Sequence, residues 1–122
     1  MIYAPGALEA IIEATRCQPY LTQVVAFVLV QYLNGQQRKE ATLADVETAI
    51  SRVLISGGEY FANVWFDAGE QGQAILRALI RQETPPEFPA ACTWLQEHDV
   101  LHSDGRFTVP MVERWVREKK QE

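Results

Sequence analysis

The sequence predicts a mainly α-helical chain with one small β-hairpin near its end. Apolar residues recur at steps of three and four through most of the 122 residues. Hydrophobic residues make up 48% and charged ones 22%, a balance that can bury a core and does not suit a wholly disordered chain. Only one stretch, 100–109, shows two short β-prone runs about a turn-forming Ser-Asp-Gly.

Taken in order, Pro5 has the fixed φ that suits the first turn of a helix, and Leu8, Ile11 and Ile12 share one face behind it. Gln18-Pro19 breaks that helix, because a residue before proline is pushed out of the α region. Pro19 then starts a second helix, with Leu21, Val24, Val25, Val28, Tyr32 and Leu33 inside and a stop at Asn34-Gly35. Thr42 caps a third, with Asp45 three positions on; Leu43, Val46, Ile50, Val53 and Leu54 form its inner face and Gly57-Gly58 its end. A short aromatic helix holds Tyr60, Phe61, Trp65 and Phe66. Asp67-Ala68-Gly69 breaks the chain there and is the expected internal boundary. From Glu70 a helix carries Ile75, Leu76, Leu79 and Ile80, and the proline-rich Thr84-Pro85-Pro86-Glu87-Phe88-Pro89 is an extended connector. Ala90 to Asp99 is helix again, burying Ala91, Trp94 and Leu95. Val100-Leu101-His102 and Arg106-Phe107-Thr108-Val109 form the hairpin, and Pro110 starts a last helix with Val112, Trp115 and Val116 inside. The second half thus runs helix, connector, helix, hairpin, helix. That is the order of a winged helix with one helix reduced to a connector.

Several chemistries find no support. No Gly-x-x-x-x-Gly-Lys-[Ser/Thr] loop is present to cradle a nucleoside triphosphate. His102, Ser103 and Asp104 are the three types of a catalytic triad, but consecutive side chains on one turn diverge where a triad must converge. Cys92, His98 and His102 offer three metal-ligating types without a Cys-x-x-Cys pair, so no metal is expected. Cys17 and Cys92 read as buried small hydrophobes, and their number points to a reducing, cytoplasmic setting. The pairs Glu9/Glu13 and Asp45/Glu47 read as solvated surface without apolar neighbours to raise a pKa. No catalytic residue is expected. The longest apolar run, 24–30, is far short of the roughly 20 residues of a membrane span, and the N-terminus lacks the basic start and apolar run of a signal peptide.

Duplex DNA is a poor match as well. Eleven Lys and Arg against sixteen Asp and Glu give a net charge of −5, where phosphate attraction favours a basic protein. The helix before the hairpin, which would enter the major groove, has no Lys or Arg. The one basic cluster, Arg114, Arg117, Lys119 and Lys120, lies at the end of the last helix among Glu113 and Glu118 and is the candidate contact patch.

Three segments resemble a known family in their joint order. Cys17-Gln18-Pro19-Tyr20-Leu21-Thr22-Gln23 resembles the Gly-x-Pro-Tyr-Leu-[hydrophobic]-Gln motif in the helical lid of AAA-like and STAND-type P-loop signal-transduction ATPases. Thr42-Leu43-Ala44-Asp45-Val46-Glu47 is similar to the Val-Thr-x-x-Asp-Val segment between the second and third lid helices. Gly105-Arg106-Phe107-Thr108-Val109-Pro110, followed by Val112, Arg114 and Trp115, is similar to the end of the winged helix after that lid.

The resemblance implies a helical lid over residues 1–67 and a degenerate winged helix over 70–122. It also implies that Pro19 contacts a nucleotide, ATP or ADP, bound by a nucleotide-binding domain upstream. The family's glycine is Cys17 here. On this reading the chain is a non-catalytic regulatory region needing no cofactor of its own. Its partners are that upstream domain or another protein, with oligomers allowed and neither DNA nor membrane expected. The alternatives are a small winged-helix transcriptional regulator on DNA and a free-standing adaptor docking through exposed aromatics.

Overall fold

The computed structural model describes residues 2–56 and 59–120. The chain is mainly helical, with six helices and one two-stranded sheet among the described residues. It divides into two compact units, Met1–Gly58 and Glu59–Glu122.

The first unit holds β1 (Ile2–Tyr3), α1 (Ala7–Thr15), α2 (Pro19–Gly35), β2 (Glu40–Ala41) and α3 (Leu43–Ser56). α2 packs chiefly on α3, with α1 against both. Leu21, Val25, Leu29 and Leu33, at every fourth position, bring the buried stripe of α2 onto Val46, Ala49, Ile50, Val53 and Leu54. In α1 the buried face is Ala7, Ile11 and Thr15, not the expected Leu8, Ile11 and Ile12, for Leu8 and Ile12 are exposed. Thr15 tolerates burial because its hydroxyl donates to the Ile11 carbonyl at 2.8 Å. α1 begins after Gly6, whose φ of 85° no other residue adopts cheaply; Pro5 lies just ahead of the first turn. The parallel pairing of β1 with β2 was not expected, since two residues are too few for alternation to show.

α2 does stop at Gly35, but the left-handed residue beyond it is Gln37 (φ 56°), with the Arg38 N–H returning to the Leu33 carbonyl at 3.0 Å. The cap predicted for α3 is present. Asp45 N–H donates to Thr42 Oγ1 at 3.2 Å, and the Asp45 carboxylate accepts from the Thr42 N–H at 2.9 Å. The expected stop at Gly57-Gly58 lies outside the described residues.

The second unit holds α4 (Glu59–Ile80), α5 (Pro89–Glu97) and α6 (Pro110–Lys119), with α4 packed on both others. The break expected at Asp67-Ala68-Gly69 is a kink inside α4, where Gly69 has φ 73° and ψ 175°. Gln73 Nε2 donates to the Trp65 carbonyl across it at 2.8 Å, satisfying a group the kink frees. The division between units therefore comes before the aromatic helix and not after it. The reason is packing: the Phe61 ring stacks on Trp115 at 6.0 Å, and Trp65 meets the same indole edge-on at 6.3 Å.

Residues 83–88 form the non-helical connector as expected, and Pro89 and Pro110 each open the helix behind them. The hairpin is smaller than expected. It consists of one antiparallel bridge, Leu101 to Phe107, about a turn with Gly105 at φ 87°. Asp99, left-handed at the end of α5, and Pro110, at the start of α6, leave the two arms no length to pair further.

Candidate functional site

The connection between α1 and α2 is built from three residues of unusual backbone. Arg16 (φ 49°) and Cys17 (φ 61°) are both left-handed, and Gln18 is extended. Gln18 caps α2, its side-chain oxygen accepting from the Leu21 N–H at 2.7 Å, and Pro19 follows in the first turn, where a missing N–H costs nothing. Thr22 Oγ1 lies 2.8 Å from the Gln18 carbonyl and 3.1 Å from Thr15 Oγ1, tying the two helices together through hydroxyls.

Pro19 lines an open hollow of about 280 Å³ with Ile12, Thr15, Cys17, Thr22 and Gln23. None of these six is charged. The hollow's polar groups are the hydroxyls of Thr15 and Thr22 and the side-chain amide of Gln23, beside the apolar Ile12 and Pro19. Cys17, expected to be buried, is an exposed free thiol, because a left-handed turn swings it out of the helix stack. No family model matches the chain, and neither a curated protein nor a solved structure matches it.

A second hollow, of about 470 Å³, lies at the other end of α2 and is lined by Val30, Leu33, Asn34, Arg38 and Lys39. Beside it Asp45 corrects another expectation. It is only 5% exposed, not solvated surface. It accepts from Arg38 Nη2 as well as from the Thr42 N–H and hydroxyl, each of the latter at 2.9 Å. The guanidinium first, and the Thr42 N–H second, hold its carboxyl below the usual carboxylate range. The carboxylate so held caps α3 and ties it to Arg38 in the loop after α2.

The basic cluster sits on α6 with its charges largely matched. Arg114 Nε lies 3.4 Å from Glu118 Oε1, and Arg117 Nη2 lies 3.0 Å from Glu113 Oε2. The Lys120 ammonium lies over the Trp115 ring, 5.5 Å from its centre, and its carbonyl accepts from Arg77 Nε at 3.0 Å. Lys119 is exposed.

His102, Ser103 and Asp104 stand on the exposed turn. There Asp104 accepts from the Arg106 N–H at 3.0 Å and its Nε at 2.7 Å, contacts that lower its pKa. It is thereby turned toward Arg106 and not toward a serine–histidine pair. His98 stacks on Trp94 at 4.0 Å, and Cys92 Sγ lies 3.8 Å from Gln96 Nε2. Of the aromatic group, Phe61 and Trp65 are buried as expected, whereas Phe66 is 80% exposed.

The sequence reading passed over the outer face of α2. Tyr20, Gln23, Phe27, Val30 and Asn34 are all exposed and recur at steps of three and four. The signal was present: α2 contains no Asp, Glu, Lys, Arg or His in seventeen residues.

Proposed function

We propose that this chain is the regulatory, non-catalytic lid and winged-helix region of a larger AAA-like or STAND-type P-loop ATPase, coupling nucleotide state to protein–protein contacts. The observation that carries this reading is the backbone at Cys17. Its φ of 61° is the conformation glycine adopts most cheaply, and glycine is what the resembled family places there. The motif likeness thus extends from residue types to a conformational requirement.

Pro19 would touch the uncharged part of a nucleotide from the hollow it lines, while phosphates would be held by the upstream nucleotide-binding domain. A nucleotide preferring one arrangement of lid and core shifts the population toward it by its difference in affinity. That none of the residues lining the Pro19 hollow is charged agrees with this division of labour. The acid partners of Arg114 and Arg117 weigh against the DNA alternative, since a phosphate would have to displace them.

The test is the mass of the native product in its source cells, measured by immunoblot with an antibody against this chain. A band far above 13.8 kDa is expected. A band at 13.8 kDa would overturn the reading and leave DNA or a partner protein to pursue. Purified chain is also expected to hydrolyse no ATP, so measurable turnover would count equally against it.

A further inference from the structure

The outer face of α2 has the features of a self-complementary seam. Tyr20, Gln23, Phe27, Val30 and Asn34 repeat as the inner positions of a two-stranded coil do. Tyr20 is 46%, Phe27 62% and Val30 39% exposed, and Ile12, which shares the first hollow with Gln23, is 45% exposed. Scattered exposed apolar side chains need no explanation, but a continuous stripe along a helix without one ionised group does.

We propose that this face is covered by α2 of a second copy of the chain, in antiparallel two-fold pairing. Phe27 lies at the midpoint of Pro19–Gly35, so a two-fold axis there sets Phe27 against Phe27. The same register sets Val24 against Val30 and Gln23 against Gln31, whose side-chain amides can exchange hydrogen bonds. It also sets Tyr20 of one copy against Asn34 of the other, at the mouth of the 470 Å³ hollow. That hollow can take a phenol: Val30 offers apolar contact and Asn34 a hydrogen bond, with Arg38 and Lys39 also in its lining. The parallel sense would place Tyr20 against Tyr20 and leave both hollows unfilled. A partner protein with a charged helix would strand its charges on this neutral stripe. A second copy meets it with none, even though each whole chain carries −5.

The area also reaches what a specific pair needs. With about 150–250 Å² of surface for an aromatic side chain and less for an aliphatic one, the exposed parts of Tyr20, Phe27, Val30 and Ile12, with the flanking amides, amount to roughly 600 Å² per copy. Two copies then bury about 1,200 Å², the lower end for specific interfaces, so association is to be sought at about 1–100 μM.

Light scattering on the purified chain across that concentration range tests the pairing. The mass should rise from 13.8 kDa toward twice that value. Phe27→Glu sets two carboxylates face to face at the axis and should raise the dissociation constant about tenfold or more, with the helical circular dichroism unchanged because residue 27 is outside the core. Phe66→Glu, at an exposed aromatic of the second unit, should leave the association unaltered. A chain that stays at 13.8 kDa throughout would overturn the proposal, as would a Phe27→Glu variant that associates like the parent. As a second reading, Phe27→Cys in a chain carrying Cys17→Ser and Cys92→Ser should form an intermolecular disulfide on mild oxidation, and failure to do so would count against the two-fold. Ile12 and Gln23 line the Pro19 hollow as well as this face, so nucleotide contact there and pairing here compete, while the immunoblot and the scattering still report on the two readings separately.

Discussion

Cys17 holds a conformation that its side chain opposes. A non-glycine residue in the left-handed region gives up about 1–2 kcal/mol, while glycine adds about 0.4–1 kcal/mol of unfolded-chain entropy. Cys17→Gly is therefore expected to raise stability by roughly 0.5–1 kcal/mol, seen as a higher urea midpoint at unchanged slope; a lower midpoint would contradict the strain argument. Asp45 supports a pH prediction. Its carboxyl is more acidic folded than unfolded, so its contribution is fully present above the unfolded value of about 3.9 and is lost as pH falls through the lower folded value. Asp45→Asn should lie below the parent in melting temperature at pH 7, and the two should converge below about pH 4. Curves that stay parallel to pH 2 would remove Asp45 from the account. The bond between Thr42 and Asp45 was legible because caps are local, three residues apart. Its clamp by Arg38 was not, since that contact depends on how the loop after α2 returns. Nor could residue types reveal that Cys17 would be left-handed, because thiols carry no such preference.

The helices were legible as elements, but the face each buries was read less well: Leu43, expected inside α3, is exposed, and Leu29, not expected inside α2, is fully buried. Leu8 and Ile12 outweigh Ala7 and Thr15 on any hydrophobic pattern, yet the smaller pair packs inside α1. The hairpin was overread for a related reason: Val, Phe and Thr favour strands, but a left-handed Asp99 and the helix-opening Pro110 confine pairing to one bridge. In α4 the break at Gly69 was legible as a break, though not as a kink within one element. Its φ and ψ belong to a region open to glycine alone, and an added Cβ would meet nothing within 4 Å. Gly69→Ala should then cost about 1–3 kcal/mol from backbone strain without any steric clash. Calorimetry checks it: an unaltered melting temperature would mean that α4 straightens at no cost.

At the scale of the whole molecule, the sequence disclosed two units and misplaced the division between them. Chain-breaking residues suggested 67–69, whereas the division follows from Phe61 and Trp65 packing on Trp115, a contact that spacing along the chain cannot disclose. The same allocation has an optical consequence. Trp65, Trp94 and Trp115 all lie within Glu59–Glu122, and Met1–Gly58 has no tryptophan. Indole fluorescence therefore follows the second unit alone, while far-ultraviolet dichroism counts helix from both. Recorded together through one denaturant titration, the two signals would report the melting of each unit without a label or a cut in the chain.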